Sequence, residues 1–585
     1  MAKSELHAKQ YVLAIDLGTG GPKVAILSAS GEIAAVASRA IDTIFIAGGG
    51  AEQNPAQWWT AITSATREVM ETAGIDPGDV AAIGCTAQWS GTVAVDKAGA
   101  PLRSAIIWMD SRGAKDIERQ IGGFPEIMGY RASRILNWVR LAGGAPGRSG
   151  KDPIAHILWI KNHEPALYDA AYKFLEPVDW IGMKLTGLAS ASYDSICLHW
   201  VTDNRDIRNV KYSKRLLDIA GIDPAKLPDL VATGSILGNL NNEAASEMGL
   251  PAGIPVVAGS GDVHSAVVGS GAVEDFDVHL YIGTSSWISC HVPFKKTSAL
   301  RNIASIPSAI PGRYLVADEH ETAGACLDFA ISTLFAGIKG SETGNVAGNA
   351  VADNAAGADN ATAGGSNPNN TQGNGSATAT RERDARASGV RAPTYSRTEE
   401  RTPSALYTAM EQAASAAPPG SGGVIFTPWL NGERSPVDDH TLRAGLHNLS
   451  LSTTQNELIR SIYEGVAFNS KWLLGAVESF TGRRCKSLAF IGGGAQSALW
   501  ARIHADVLQR DIVPVNEPIL ANVRGAGLLA WLAIGRIQAG DIHGMVATGT
   551  RVKPDPDLAP IYESGYKSYV EIYKKTHGIY RRLNA

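Results

Sequence analysis

Tyr11-Val-Leu-Ala-Ile-Asp-Leu-Gly-Thr-Gly-Gly-Pro-Lys-Val-Ala-Ile-Leu-Ser28 is the stretch that decides the fold of this 585-residue chain. Two apolar runs, 11–16 and 23–28, flank a turn built from Gly18, Gly20, Gly21 and Pro22. A third run, 33–38, follows a Ser30-Gly31 turn. Short β-branched runs parted by glycine turns read as an antiparallel meander. The reading puts Asp16 at a strand end, facing a turn whose glycines let a ligand approach the backbone. A related unit lies near mid-chain: strand 278–282, turn Gly283-Thr-Ser-Ser286, return strand 287–292. Asp16-Leu-Gly-Thr19 aligns with Tyr281-Ile-Gly-Thr284, which points to two similar lobes.

Helical patterns alternate with these strands. Residues 454–477 carry Leu458, Ile462, Val466 and Leu473 on one face, and 498–509 and 525–534 also read as helices. A strand at 487–491 runs into Gly492-Gly-Gly494 and then into the 498 helix. Alternation of this kind indicates an α/β protein. We expect an N-terminal lobe over 1–255 and a C-terminal lobe over 256–585. One segment fits neither. Between 341 and 380, 33 of 40 residues are Ala, Asn, Gly, Ser or Thr, and no Leu, Ile or Phe occurs. Too little apolar surface is available there to offset the entropy of ordering, so 338–400 reads as a disordered insertion in the second lobe.

Composition narrows the function. The net charge of −4 disfavours a protein whose main partner is nucleic acid or an anionic membrane. Residues 1–10 contain no apolar core of a signal peptide, and no apolar run approaches the ~20 residues of a membrane helix. Five scattered cysteines without a CxxC pair read as reduced thiols of a cytoplasmic protein rather than a zinc site. The 63 glycines are an excess, about 11% against a usual ~7%. Only seven of them fall in 341–380, so most belong to folded turns.

Those turns carry the chemistry. GxxxxGK[ST] is absent, no GxGxxG follows a strand in dinucleotide register, and the HRD and DFG sets of protein kinases are missing. Present instead are Gly18-Thr19, Gly283-Thr284 and Gly492-Gly-Gly-Ala-Gln-Ser497. Each can aim backbone N–H groups at an anion, the last at a helix start. A lone Gly-Thr turn is usually only a hairpin turn; the three in order are far more specific.

Eight ordered segments resemble the FGGY family of carbohydrate kinases, within the actin/hexokinase/Hsp70 ATPase superfamily. They are 14–19 (Ala-Ile-Asp-Leu-Gly-Thr), 52–59, 87–91 (Ala-Gln-Trp-Ser-Gly), 105–112, 259–264 (Gly-Ser-Gly-Asp-Val-His), 281–285, 443–446 leading into 462–467, and 491–497. Order and spacing look most like the xylulokinase branch. The resemblance implies two actin-like (ribonuclease H-like) lobes around a cleft, sugar on the first and ATP on the second. It implies ATP-dependent phosphorylation of a ketose or polyol, D-xylulose to xylulose 5-phosphate first among candidates. Ribulose, erythritol and glycerol are alternatives, as is an idle sugar or nucleotide sensor. A chaperone-like ATPase is disfavoured by the sugar segments 87–91 and 105–112. Partners would be a small sugar and ATP, and a homodimer is compatible with the family.

By the same resemblance Asp262 is the general base, a role for which a carboxylate within hydrogen-bond reach suffices. Asp16 would meet the triphosphate through Mg²⁺, which takes few carboxylates. Gly18, Thr19, Gly283 and Thr284 would contact phosphates, and Gly493, Gly494, Ala495 and Gln496 adenosine. Gln88, Trp89, Asp110 and Asp262 would face the sugar. Departures cluster on the sugar side. The usual Gln-Met-His-Gly is Gln88-Trp-Ser-Gly91, the usual Asp-Asn is Asp262-Val263, and Trp-Asn-Asp is Trp108-Met-Asp110. Phosphate machinery kept beside an altered sugar shell fits a kinase with a shifted substrate.

Overall fold

The opening meander seeds the first of two seven-stranded sheets. In the computed structural model, which describes residues 10–298, 303–335 and 404–584, β1 (Tyr11–Gly18), β2 (Gly21–Ser28) and β3 (Ile33–Ser38) pair antiparallel. A hairpin of β4 (Ile44–Ile46) and β5 (Gly50–Gln53) leads to α1 (Pro55–Ala73). Asn54 caps α1, Pro55 pre-sets its first turn, and Gly74 ends it in the left-handed region at φ 62°. β6 (Val80–Ala87) then lies parallel to β1, and β7 (Ala105–Ile106) joins the side hairpin at β5. Helices α2 (Pro153–His163) and α3 (Pro177–Thr186) precede β8 (Ile236–Asn239), β9 (Pro255–Val257) and β10 (Ser260–Gly261). The sheet order is β8-β9-β6-β1-β2-β3, with β10 also on β6. Because β9 and β10 pair parallel with β6, the first sheet runs past the expected boundary at 255, to Gly261.

α4 (Asp262–Gly269) leads to the second sheet. β11 (Val278–Ile282), β12 (Ser286–Val292), β13 (Thr297–Ser298), β14 (Ile303–Pro307) and β15 (Tyr314–His320) form a second meander. The long α5 (Gln455–Thr481) opens on a Thr454/Glu457 capping box. β16 (Ser487–Ile491), α6 (Ala498–Leu508) and β17 (Asp511–Pro514) follow, and the order is β13-β14-β15-β12-β11-β16-β17. Strands β3-β2-β1-β6-β9 and β15-β12-β11-β16-β17 repeat one topology: three antiparallel strands, then two parallel to the first. The duplication hinted at by the two Gly-Thr turns is thus a property of the fold. The insertion expected over 338–400 lies outside the described residues. Among those residues, no helix is long and apolar enough to cross a membrane. All five cysteines are free thiols, four of them buried.

The two sheets are tied by a helix pair. α7 (Ala521–Ala533) crosses α4 with glycines at the contact. A β-carbon on Gly269 would stand 1.8 Å from the Ala521 carbonyl oxygen, and one on Gly525 would stand 1.9 Å from that of Ser265. The opposite flank of α7 covers the first sheet: Val523, Ala526, Ala530 and Trp531 pack with Val12, Ala14, Leu27 and Ala82. Trp531 Nε1 donates to the Ser28 carbonyl at 2.9 Å. Neither backbone can retreat without opening this core. Gly525→Ala should therefore lower stability by about 1–3 kcal/mol or more, read as a fall in the midpoint of thermal or denaturant unfolding; an unchanged midpoint would show that the crossing tolerates separation.

Candidate functional site

Parallel strands end together, and their carboxyl ends are where ligand crevices form in α/β sheets. In the first sheet Asp16 of β1 stands beside Thr86 of β6, and Thr86 beside Ser260 of β10. The Thr86 hydroxyl donates to the Ser260 carbonyl at 2.9 Å, pinning the last two strands. Two residues further on, β6 delivers Gln88 and β10 delivers Asp262, the first residue of α4. Close approach is enforced at Gly261, where a β-carbon would lie 2.8 Å from Trp89 Cγ.

Asp262 is partly exposed to the cleft. Its Oδ1 accepts from the Val263 N–H at 2.9 Å, and the Trp89 N–H also holds the carboxylate. Burial, then the charges of Asp16 and Glu319, push its pKa up to about 8; the two N–H groups pull the other way. Asp16 is buried, 3.7 Å from Lys23 Nζ, and its Oδ1 has no partner among the described residues. Burial raises its pKa and Lys23 opposes the rise. An orphaned carboxylate oxygen in the field of a second carboxylate fits a cation. No cluster of three or more metal-binding side chains exists among the described residues. A Mg²⁺ ion here would therefore rest on Asp16 plus phosphate oxygens and water.

The residues expected to face the sugar lie in a hydrogen-bonded wall. Gln88 is buried; its Nε2 donates to Gln53 Oε1 at 2.7 Å and its Oε1 accepts from Thr19 Oγ1 at 3.2 Å. Thr19 in turn accepts from Trp108 Nε1 at 2.9 Å. The Thr19 hydroxyl, expected on a phosphate, is thus engaged within this wall. Trp89 and Asp110 also sit differently from the expectation of sugar contacts. Trp89 is 8% exposed, donates to the Ser195 carbonyl, and packs edge-on against His264 at 4.7 Å. Asp110 is 1% exposed, and both its oxygens are spent on the Ala51 N–H and on Arg112. Arg112 also reaches Glu52, so Asp110 anchors an ion-pair network behind the wall. Ser90, at φ 67°, donates to the Lys151 carbonyl at 2.8 Å.

The second sheet gathers the other turns. Gly283 and the exposed Thr284 follow β11, while the Thr284 carbonyl accepts from the N–H groups of Ala323 and Ala325. Gly492, at φ 86°, follows β16 and lies against the Ile282 carbonyl, where a β-carbon would meet oxygen at 2.4 Å. Gly494 packs on the Ile282 side chain, whereas Gly493 has open space beside it. Gly493 and Gln496 are exposed; Gly494 and Ala495 are buried. The structure therefore brings Gly283, Thr284 and 492–496 to one edge. Tyr281, stacked on Trp287 at 3.7 Å, has its hydroxyl acidity suppressed by burial and by the charges of Asp262 and Asp16. It marks where the second sheet meets the carboxylates.

Sequence reasoning missed the charged residues opposite Asp262. Glu319 at the end of β15 pairs with Arg434 at 2.7 Å, and Arg434 also pairs with Glu321 at 2.6 Å. Asn431-Gly-Glu-Arg-Ser-Pro436 is a charged, Gly- and Pro-flanked segment that could have been singled out. Its partners, more than a hundred residues away, could not.

Two family models match the chain. That of the FGGY carbohydrate kinase N-terminal domain matches residues 11–269, and that of the C-terminal domain 280–534. A xylulose kinase of Staphylococcus epidermidis is 24% identical over 573 residues, spanning 97% of each chain. An autoinducer-2 kinase of Escherichia coli K12 is 25% identical over 593 residues, spanning 98% of this chain and 96% of its own. Among solved structures, a ligand-bound xylulose kinase from Lactobacillus acidophilus superposes with a TM-score of 0.77 at 21% identity, covering 98% of this chain and 99% of its own. A gluconate kinase from the same organism gives 0.76 at 20%, with the same coverage. At such identities the structural likeness is one of fold.

Titration of carboxyl-labelled protein should show an aspartate signal ionising near pH 8 that is absent in Asp262→Asn. Its pKa should fall in Asp16→Asn, because removing a neighbouring negative charge favours the ionised form. The same pKa in Asp16→Asn and in the parent would show that Asp16 does not act on Asp262.

Proposed function

This chain belongs to the FGGY family of carbohydrate kinases, phosphotransferases with ATP as donor, and from that premise we propose that it phosphorylates a small ketose or polyol, with xylulose the leading substrate. The observation that carries the reading is Asp262: a partly exposed carboxylate at a helix start, beside Asp16, at the carboxyl edge of the parallel strands.

MgATP, when bound, supplies the electrophilic phosphoryl group and the neutralising cation. The chain's part is to position and to hold charge, which is most of what phosphoryl transfer requires. Asp262 accepts the proton of the acceptor hydroxyl; its pKa near 8 makes it a stronger base than an ordinary carboxylate. The Val263 and Trp89 N–H groups keep the carboxylate oriented. Asp16 offers its free oxygen to the cation. Thr284 and Gly283, with Gly493 and Gln496 beyond them, present the phosphate and adenosine side, with Gly494 and Ala495 packed beneath. Gln88, through Thr19 and Gln53, shapes the acceptor wall.

A substrate shifted away from xylulose is the second reading, and Ser90 favours it. Its hydroxyl is turned to the Lys151 carbonyl, so the position where the xylulokinase pattern has histidine offers no such side chain here. Relatives named for autoinducer-2 and gluconate show that similar chains are associated with other acceptors. The non-catalytic sensor is disfavoured because both Asp16 and Asp262 are kept.

A coupled ADP-release screen over pentuloses, hexuloses, polyols, aldonates and the autoinducer-2 precursor tests this. Turnover is expected with one acceptor class and should drop about 10³-fold in Asp262→Ala. Nucleotide binding without turnover on any acceptor would sink the kinase reading in favour of the sensor.

A further inference from the structure

Beyond the two aspartates, a chain of polar contacts crosses the cleft and closes on itself. Ser90 Oγ donates to the Lys151 carbonyl at 2.8 Å, and Lys151 Nζ donates to Glu321 at 2.5 Å. Glu321 accepts from Arg434 Nε at 2.6 Å, and Glu319 from Arg434 Nη1 at 2.7 Å. The Arg434 guanidinium lies over the Trp108 ring, 5.3 Å from its centroid. Trp108 Nε1 donates to Thr19, and Thr19 to Gln88, two residues before Ser90. The ring therefore starts and ends on the turn that shapes the acceptor wall. Ser90, Lys151, Trp108, Thr19 and Gln88 belong to the first lobe, and Glu319, Glu321 and Arg434 to the second.

Resting on the kinase reading above, we propose that Arg434 is a positioning residue for phosphoryl transfer: seated on Trp108 and steered by Glu319 and Glu321, it fixes the second lobe against the acceptor wall. Arginine suits the task. Its planar fork can serve two carboxylates while its face stacks on an indole, which a lysine ammonium cannot reproduce. Glu321 is itself held from several sides, by Lys151, by Asn431 Nδ2 at 3.2 Å and, at its backbone N–H, by Glu433. Asp152 also faces the guanidinium, anchored by Trp200 Nε1 and the Gly147 N–H. One donor remains: Arg434 Nη2 is buried with no partner among the described residues. A buried, unspent donor is costly unless a partner arrives. Nη2 is enclosed, so its cost is offset by the carboxylates and the indole that hold the guanidinium rather than by contact with the acceptor.

Two measurements test this. In steady-state kinetics, Arg434→Met should cut kcat/KM for the acceptor about 10²-fold, the scale of a small misplacement of reacting groups. KM for ATP should stay within about twofold of the parent. Arg434→Lys should recover little, since it restores charge without the fork. An acceptor kcat/KM within about threefold of the parent in Arg434→Met would overturn the proposal. So would equal losses toward ATP and acceptor, which would mark a merely structural role. Independently of turnover, hydrogen exchange on the ligand-free Lys151→Met variant should rise in segments 314–322 and 427–434 of the opposite lobe while the core strand 80–87 stays protected. No change in those segments would overturn the ring even if the wild type proves an active kinase. Absence of turnover by the wild type on every acceptor would remove the kinase reading, and with it the role in phosphoryl transfer, while exchange still reports whether the lobes are linked.

Discussion

Where α4 crosses α7, the absence of β-carbons at Gly269 and Gly525 lets two backbones approach to within van der Waals contact. α4 begins at Asp262 and follows directly from the first sheet. α7 comes after the last strand of the second sheet, yet covers the first. The crossing thus does two things at once. It sets the depth at which the Asp262 end of α4 stands beside Trp89, and it fixes which edges of the two sheets confront each other. Bulkier residues at the contact would move the helix that carries the candidate base.

The repeated five-strand order shows how one architecture came to serve two ends of a reaction. Asp16 of β1 and Tyr281 of β11 occupy equivalent places, two residues before the glycine of the following turn. One is a buried carboxylate with a free oxygen, fit for a cation; the other is a phenol stacked on Trp287. At this position the two repeats differ most plainly in chemistry, a carboxylate in one and a phenol in the other. The turns themselves diverged less. Gly493 has open space beside it, while Gly283 lies against the Tyr281 ring and Thr19 is hydrogen-bonded to Gln88 and Trp108.

The fold was legible wherever a local rule governed. The strands at 11–18, 21–28, 33–38 and 487–491 follow from apolar runs and glycine turns, and the helix expected at 454–477 by apolar periodicity spans 455–481. The lobe boundary was less so, because β9 and β10 are only three and two residues long, and their membership of the first sheet rests on parallel pairing with a strand far earlier. In the site, the glycines and the two aspartates were visible because they sit in turns of recognisable form. Asp110 looked like a substrate residue because its motif gives a carboxylate but not its environment; that carboxylate is consumed by Arg112 two residues on. The pairing of Lys151, Glu321, Arg434 and Trp108 left no local trace, since each contact joins residues that only the closed fold makes neighbours.

The charges of the cleft also explain why these remote residues belong to the chemistry. Asp16, Asp262 and Glu319 share a poorly solvated space, and like charges so placed cannot all ionise freely. Arg434 pairs with Glu319, and Lys23 with Asp16; Asp262 has neither partner, and burial with the neighbouring charges raises its pKa to about 8. A cation held by Asp16 would offset part of that repulsion and lower the pKa of Asp262. On the proposed reading, Asp262 would hold its proton while the cleft is empty and release it more readily when the phosphate side is filled. On that reading the availability of the base follows occupancy of the phosphate side, and it depends on the placement of five charged side chains rather than on any one of them.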